Sequence, residues 1–147
     1  MERPGHRLPS GAVEPNFTGP NGEGTIAATH WETNDQDTPG LRAYKATVEK
    51  YYPKIDHSTW TKAGFVGATI FGNILKGLGL EVTRQRVKDA ADKLTDFDSG
   101  LGPHLSWSPG HHRANKTIYL AQIQRSGDKF EYKKIAGPLI DEYSESD

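Results

Sequence analysis

The sequence predicts an α/β fold: an N-terminal strand, three helices and a C-terminal strand cluster, with too few strands to complete a sheet. Three observations predict it. Short runs rich in β-branched residues and bounded by turn formers stand at both ends of the patterned region, at residues 24–31 and 117–133. Between them, apolar residues recur at steps of three and four, and each such stretch opens on a Ser or Thr cap. Helices that open on a strand favour helix-on-sheet layering.

Residues 1–22 (MERPGHRLPSGAVEPNFTGPNG) hold several prolines and glycines and no spaced apolar pattern. They are expected to be a disordered tail, with the domain over 23–136 and a frayed acidic tail over 137–147. Gly24-Thr-Ile-Ala-Ala-Thr-His-Trp31 reads as a buried, parallel-type strand, and Glu32 to Gly40 as a loop of turn-forming residues. Thr38 caps a helix whose first residue is Pro39, where a missing N–H is harmless. Its inward side carries Leu41, Tyr44, Val48 and Tyr51 or Tyr52, and Pro53 ends it.

Asp56 to Ser58 offer a second cap, and the strongest helix runs behind it from Thr59 to Leu78. Trp60, Gly64, Gly67, Phe71, Ile74, Leu75 and Leu78 form one stripe. A glycine inside a helix costs about 1 kcal/mol against alanine. Gly64, Gly67 and Gly72 therefore predict that another layer packs closely on this helix. Gly77 and Gly79 supply the stop. Thr83 caps a third helix, with Val87, Ala90, Ala91 and Leu94 facing inward. Asp96 to Pro103 is a turn-rich connection and His104–Trp107 a short strand. Ser108 to Asn115 is a loop, Thr117–Gln124 the clearest strand and Lys129–Lys133 its hairpin partner.

Composition narrows the function. The 18 basic and 19 acidic residues interleave and give a net charge of −1, without the one-sided basic stripe of a nucleic-acid binder. With no cysteine there is no thiolate nucleophile, thiolate metal site or disulfide. No hydrophobic run approaches the ~20 residues that span a bilayer. No secretory signal is read behind Arg3 and Arg7. No nucleophile elbow, phosphate loop or paired His-Glu helix motif is present. His104, His111, His112 and Arg113 invite a metal reading, but neighbouring histidines do not readily turn both rings to one ion, and a solvated loop is expected instead. No catalytic residue, metal site or cofactor is predicted.

The order of the pieces resembles a known family. A strand ends in an aromatic, and a Pro-initiated helix carrying Tyr44 ends in Lys50-Tyr-Tyr-Pro53. The small-residue helix Ala63-Gly-Phe-Val-Gly-Ala-Thr-Ile-Phe-Gly-Asn-Ile-Leu-Lys-Gly-Leu-Gly79 follows, then the Thr83-Arg84 helix start. Phe97-Asp-Ser-Gly-Leu-Gly-Pro103, Ser106-Trp-Ser-Pro-Gly-His-His-Arg113 and Ile118-Tyr-Leu-Ala-Gln-Ile123 complete the set. From Gly24 to Tyr132 this succession resembles the C-terminal third of the type I periplasmic binding proteins of the branched-chain amino acid group.

The resemblance implies two α/β lobes joined by three crossovers, with a small solute, amino acid-like or amide-like, held between them for an ABC transporter permease. It implies a periplasmic or extracellular setting and no enzymatic activity. The segments that grip most of the solute's ammonium and carboxylate would lie outside this chain, as in a truncated or interrupted gene. By position in the family, Trp31 is the cleft residue, at the C-terminal strand end where open α/β sheets place ligands. His30 points to the other face of a regular strand, and Thr29 and Glu32 complete the candidate ligand-binding set. Two other readings remain: a small metal-dependent hydrolase using His111 or His112, and an interaction module whose small-residue helix takes missing lobe elements from another chain.

Overall fold

The computed structural model describes residues 15–110 and 112–140. Its sheet is a three-stranded antiparallel ribbon in the order β1 (Ile26–Thr29), β2 (Thr117–Ser126), β3 (Lys129–Ile140). Alternation sets the face that β2 buries: Tyr119, Ala121 and Ile123 point inward, whereas Gln122 is half-buried and Gln124 exposed between them. Gly127, at φ 62°, turns β2 into β3. β1 lies antiparallel on β2 with Ile26 opposite Gln122 and Thr29 opposite Tyr119. The parallel-type strand expected at 24–31 is therefore an antiparallel edge, shortened to four residues. Its partner is the C-terminal hairpin, and the helices form an excursion between them.

Each helix begins at the cap its sequence proposes. Thr38 Oγ1 accepts from the Leu41 N–H (3.2 Å) at the head of α2 (Pro39–Tyr51). Ser58 Oγ accepts from Thr61 N–H (3.2 Å) before α3 (Thr59–Leu78), and Thr83 Oγ1 from Arg86 N–H (3.2 Å) before α4 (Arg84–Ala91). A short turn, α1 (Pro15–Thr18), and a 3-10 turn (Gly19–Gly22) pack beside β3. Of the segment expected as an N-terminal tail, residues 15–22 thus carry structure and residues 1–14 lie outside the described residues. At the other end β3 continues to Ile140, so only 141–147 of the expected acidic tail lie outside them. His104–Trp107 is not a strand; Leu105 forms a single bridge with Phe97 while the Trp107 N–H donates to Leu94 O (2.8 Å).

The main core sits between α2, α3 and the connection after α4. Leu41, Tyr44 and Val48 from α2 meet Val66 from α3 and Leu101 and Leu105 from the connection. Trp31, Phe65, Phe97 and Trp107 pack around them. Tyr44 is fully buried, its ring edge-on to Phe65 at 5.4 Å. The connection reaches α2 through two glycines. A Cβ placed on Gly40 would stand 1.8 Å from the Gly100 carbonyl oxygen, so the backbones touch where no side chain fits. Gly100 itself holds φ 72°.

α3 departs from the expected packing. Its buried row is Lys62, Val66 and Ile74, with Ile70 half-buried between them. The stripe expected to face inward is largely bare: Trp60 is 66% exposed and Phe71 52%. Among the described residues, nothing beyond the helix's own backbone and the adjoining residues lies within 4 Å of a Cβ added at Gly64, Gly67 or Gly72. Tyr51, Tyr52, Ile55, Leu80 and Val82 are also exposed. The layer that the glycines call for is not among the described residues.

Two glycine substitutions therefore act in opposite directions. In this chain Gly64→Ala or Gly67→Ala should raise stability by up to about 1 kcal/mol through helix propensity alone. Gly40→Ala should lower it by about 3 kcal/mol, because backbone must move to admit the methyl group. Urea denaturation followed by circular dichroism measures both, and a destabilising Gly64→Ala would show that the α3 face is already covered.

Candidate functional site

The C-terminal end of β1 opens into a cleft of about 320 Å³. Thr29, Glu32, Thr33 and Asn34 form its floor, and Lys45 and Glu49 of α2 one side. Asp56, His57, Thr59 and Lys62 bring in the α2–α3 turn and the start of α3, while Lys129 to Tyr132 of β3 close the far wall. The lining is mostly polar and charged.

Glu32 organises the floor. Its N–H donates to Leu101 O (2.8 Å) and its carbonyl accepts from Lys62 Nζ (2.6 Å). Its carboxylate accepts from Lys134 Nζ (2.9 Å), with both side chains largely shielded from solvent. Tyr119 is also hydrogen-bonded to that carboxylate. Burial first, and then the negative charge of Glu32, push the Tyr119 phenol up to about 12. Lys134 Nζ lies 5.2 Å from the centre of the Tyr119 ring, completing a three-residue cluster. Lys62, only 5% exposed, spans from α3 to the strand end.

The loop after Glu32 is held as firmly. Lys45 Nζ donates to Asn34 O (3.0 Å), and Asn34 Nδ2 donates to His57 O (2.8 Å), tying the β1–α2 loop to the α2–α3 turn. The His57 ring stands edge-on to Tyr44 at 5.5 Å. Among the described residues Asn34 Oδ1 and His57 Nδ1, both buried, have no hydrogen-bond partner.

The four residues proposed from sequence divide. Thr29 and Glu32 line the cleft. Trp31 packs against the Leu41–Tyr44 cluster, and its backbone N–H donates to Thr29 Oγ1 (3.3 Å). His30 Nδ1 lies 3.3 Å from Thr117 O, and neither the His30 nor the Trp31 ring is part of the lining. Sequence reasoning passed over Asn34, Lys45, His57 and Lys62. For Lys62 a signal existed: it heads the i, i+4 row that continues with Val66, Ile70 and Ile74.

The histidine-rich loop contains separate pairs. His104 Nδ1 is 2.7 Å from Asp96 Oδ1, and this hydrogen bond raises the pKa of the exposed imidazole. His112 Nε2 lies 3.7 Å from Asp92 Oδ1, and His111 lies outside the described residues. Among the described residues no group of three or more His, Asp or Glu could hold a metal ion. None of their helices is long and apolar enough to cross a membrane.

Comparison with known proteins identifies the fold. The periplasmic binding protein family model matches residues 12–129, and the chain belongs to that family. A branched-chain amino acid ABC transporter protein from Thermus thermophilus, solved with bound valine, superposes with a TM-score of 0.76 at 19% identity, over 95% of this chain and 40% of that one. A possible leucine/isoleucine/valine-binding protein from Rhodopirellula baltica gives 0.79 at 23% identity, over 91% of this chain and 36% of that one. A fatty acid ABC transporter substrate-binding protein from Thermomonospora curvata gives 0.73 at 20% identity, over 95% and 38%. The chain thus spans well under half the length of the solved proteins it matches. A search of curated proteins finds no match.

The Tyr119 phenol gives the floor a titration signature. The unfolded phenol ionises near 10.0 and the folded one near 12, so between these values the folded state holds the extra proton. Stability is therefore intact below pH 10 and falls as pH rises toward 12. In an ultraviolet titration of tyrosinate, Tyr119→Phe should remove a step near pH 12, and Glu32→Gln should move it to lower pH without restoring the ordinary value, because burial remains. An unmoved step in Glu32→Gln would separate Tyr119 from Glu32.

Proposed function

We propose that this chain forms one wall of a solute-binding cleft in a receptor that serves an ABC transporter permease, acting in binding and not in catalysis, in a periplasmic or extracellular setting. The solute class is small and amino acid-like or amide-like. The observation that carries this reading is the polar cleft at the C-terminal end of β1, in a chain of the periplasmic binding protein family. Thr29 and Glu32 contribute to the wall directly. Trp31 contributes from beneath, by packing the strand end onto the α2 core.

The bare α3 face supports a second element of the proposal. A receptor of this type works by two lobes closing on the solute, which shifts an open–closed equilibrium toward the form the permease recognises. This chain matches 36–40% of such proteins. The opposing lobe, and the layer over Gly64 and Gly67, would come from segments beyond it.

Half a cleft has few anchors. Isothermal calorimetry with free leucine should therefore give no binding, or binding far weaker than micromolar. Micromolar affinity for this chain alone would mean that its own wall suffices and would refute the two-lobe reading.

A further inference from the structure

We infer that Asn34 and His57 form a recognition point for a neutral group with a donor and an acceptor side by side, a primary carboxamide, on the solute that this cleft takes. The inference rests on the solute-binding reading above and adds the chemistry of one contact.

The orientation of Asn34 is fixed from within the chain. Its Nδ2 donates to His57 O at 2.8 Å, so the atom left over is Oδ1, an acceptor. The His57 ring is held by its edge-on packing on Tyr44 (5.5 Å, 76° between planes). Both residues line the cleft, and both Asn34 Oδ1 and His57 Nδ1 are buried without a hydrogen-bond partner among the described residues. Buried polar atoms are nearly always satisfied, by protein, water or ligand. Two such atoms on one loop-to-loop bridge, beside a cavity, mark a place where an outside molecule completes the hydrogen bonding.

The surroundings select the molecule. Lys45 and Lys62 line the same wall, and each is already engaged with a backbone carbonyl, Asn34 O and Glu32 O. Glu49 and Asp56 of the same lining offset their positive charge, so pairing decides: an ammonium group has no acceptor for His57 in the Nδ1–H tautomer. A carboxylate has no donor for Asn34 Oδ1 and would set its lone pairs against it. An aliphatic group leaves both atoms unsatisfied. A primary carboxamide satisfies both: its N–H donates to Asn34 Oδ1, and its carbonyl accepts from His57 in the Nδ1–H tautomer.

Three probes of similar size separate these possibilities: acetamide, acetate and methylammonium, each titrated into the isotope-labelled chain and followed by NMR. Acetamide should shift the Asn34 side-chain amide and His57 ring signals saturably, at concentrations at least about tenfold lower than the two ions require, about 1.4 kcal/mol of preference. Asn34→Ala should abolish the acetamide response. Should that variant not fold, His57→Phe, which keeps the backbone acceptor for Asn34 Nδ2 and a ring beside Tyr44 but removes Nδ1, should abolish the acetamide response. Equal responses to all three probes, or no saturable shift with acetamide, would overturn the inference and leave those two atoms to water. Leucine or glutamine titrated in parallel tests the parent reading. Weak or absent leucine binding without any acetamide response at Asn34 and His57 would sink the carboxamide contact alone, and micromolar leucine binding would sink the parent reading.

Discussion

Glu32 is the residue on which the arrangement depends. Through its N–H, carbonyl and carboxylate it fastens the end of β1 to the 97–105 connection, to α3 and to β3, and its carboxylate also meets Tyr119 on β2. Charged side chains so well shielded are tolerated because they are paired: the carboxylate with Lys134, and the Lys62 ammonium with a carbonyl oxygen. Losing one partner would strand the other in a poorly solvated place, which makes the cluster cooperative. The cleft floor is thus rigid for the same reason that the helices stay attached to the ribbon.

Energetically the chain is lopsided. One side of α3 joins a core with Tyr44 at its centre, while the other leaves Trp60 and Phe71 in water beside glycines that weaken the helix. A helix apolar on both sides belongs between two layers. Trp60 and Phe71 stand exposed on the same side of α3 as Gly64 and Gly67, an arrangement suited to cover by another layer. The share of the solved relatives that the chain spans agrees with that physical reading.

Local signals were legible where local physics decides. Thr38, Ser58 and Thr83 each cap the helix that their sequence announces, and α3 runs from Thr59 to Leu78 as its periodicity and terminal glycines require. The family was legible from the order of the pieces. Pairing was not: β1 reads as a parallel-type strand because its run is short, bounded by turn formers and followed by helices, and nothing local reveals that its partner lies some ninety residues away. β3 beyond Lys133 was missed because Gly137 and Pro138 read as breakers, although Leu139 still pairs with Ile118. Strand position alone proposed Thr29, His30, Trp31 and Glu32. It gave no means of telling the two that line the cleft from the two whose rings pack elsewhere, since that depends on where α2 docks. Asn34 and His57 were invisible for a related reason: they meet only because Lys45 and the α2–α3 turn fold the two loops together.

The bare face and the cleft also share a helix. The first turns of α3 place Thr59 and Lys62 in the cleft wall, while Trp60 and Gly64, on the turns between and beyond them, lie on the uncovered side. A layer seated on Gly64 and Gly67 would press on the same rigid rod that carries Lys62 to the carbonyl of Glu32. Packed interiors transmit such displacements and absorb little of them. Covering α3 would therefore fix the geometry of the cleft as well as stabilise the chain, and the affinity of the wall for solute would rise with the burial of a surface that solute never touches.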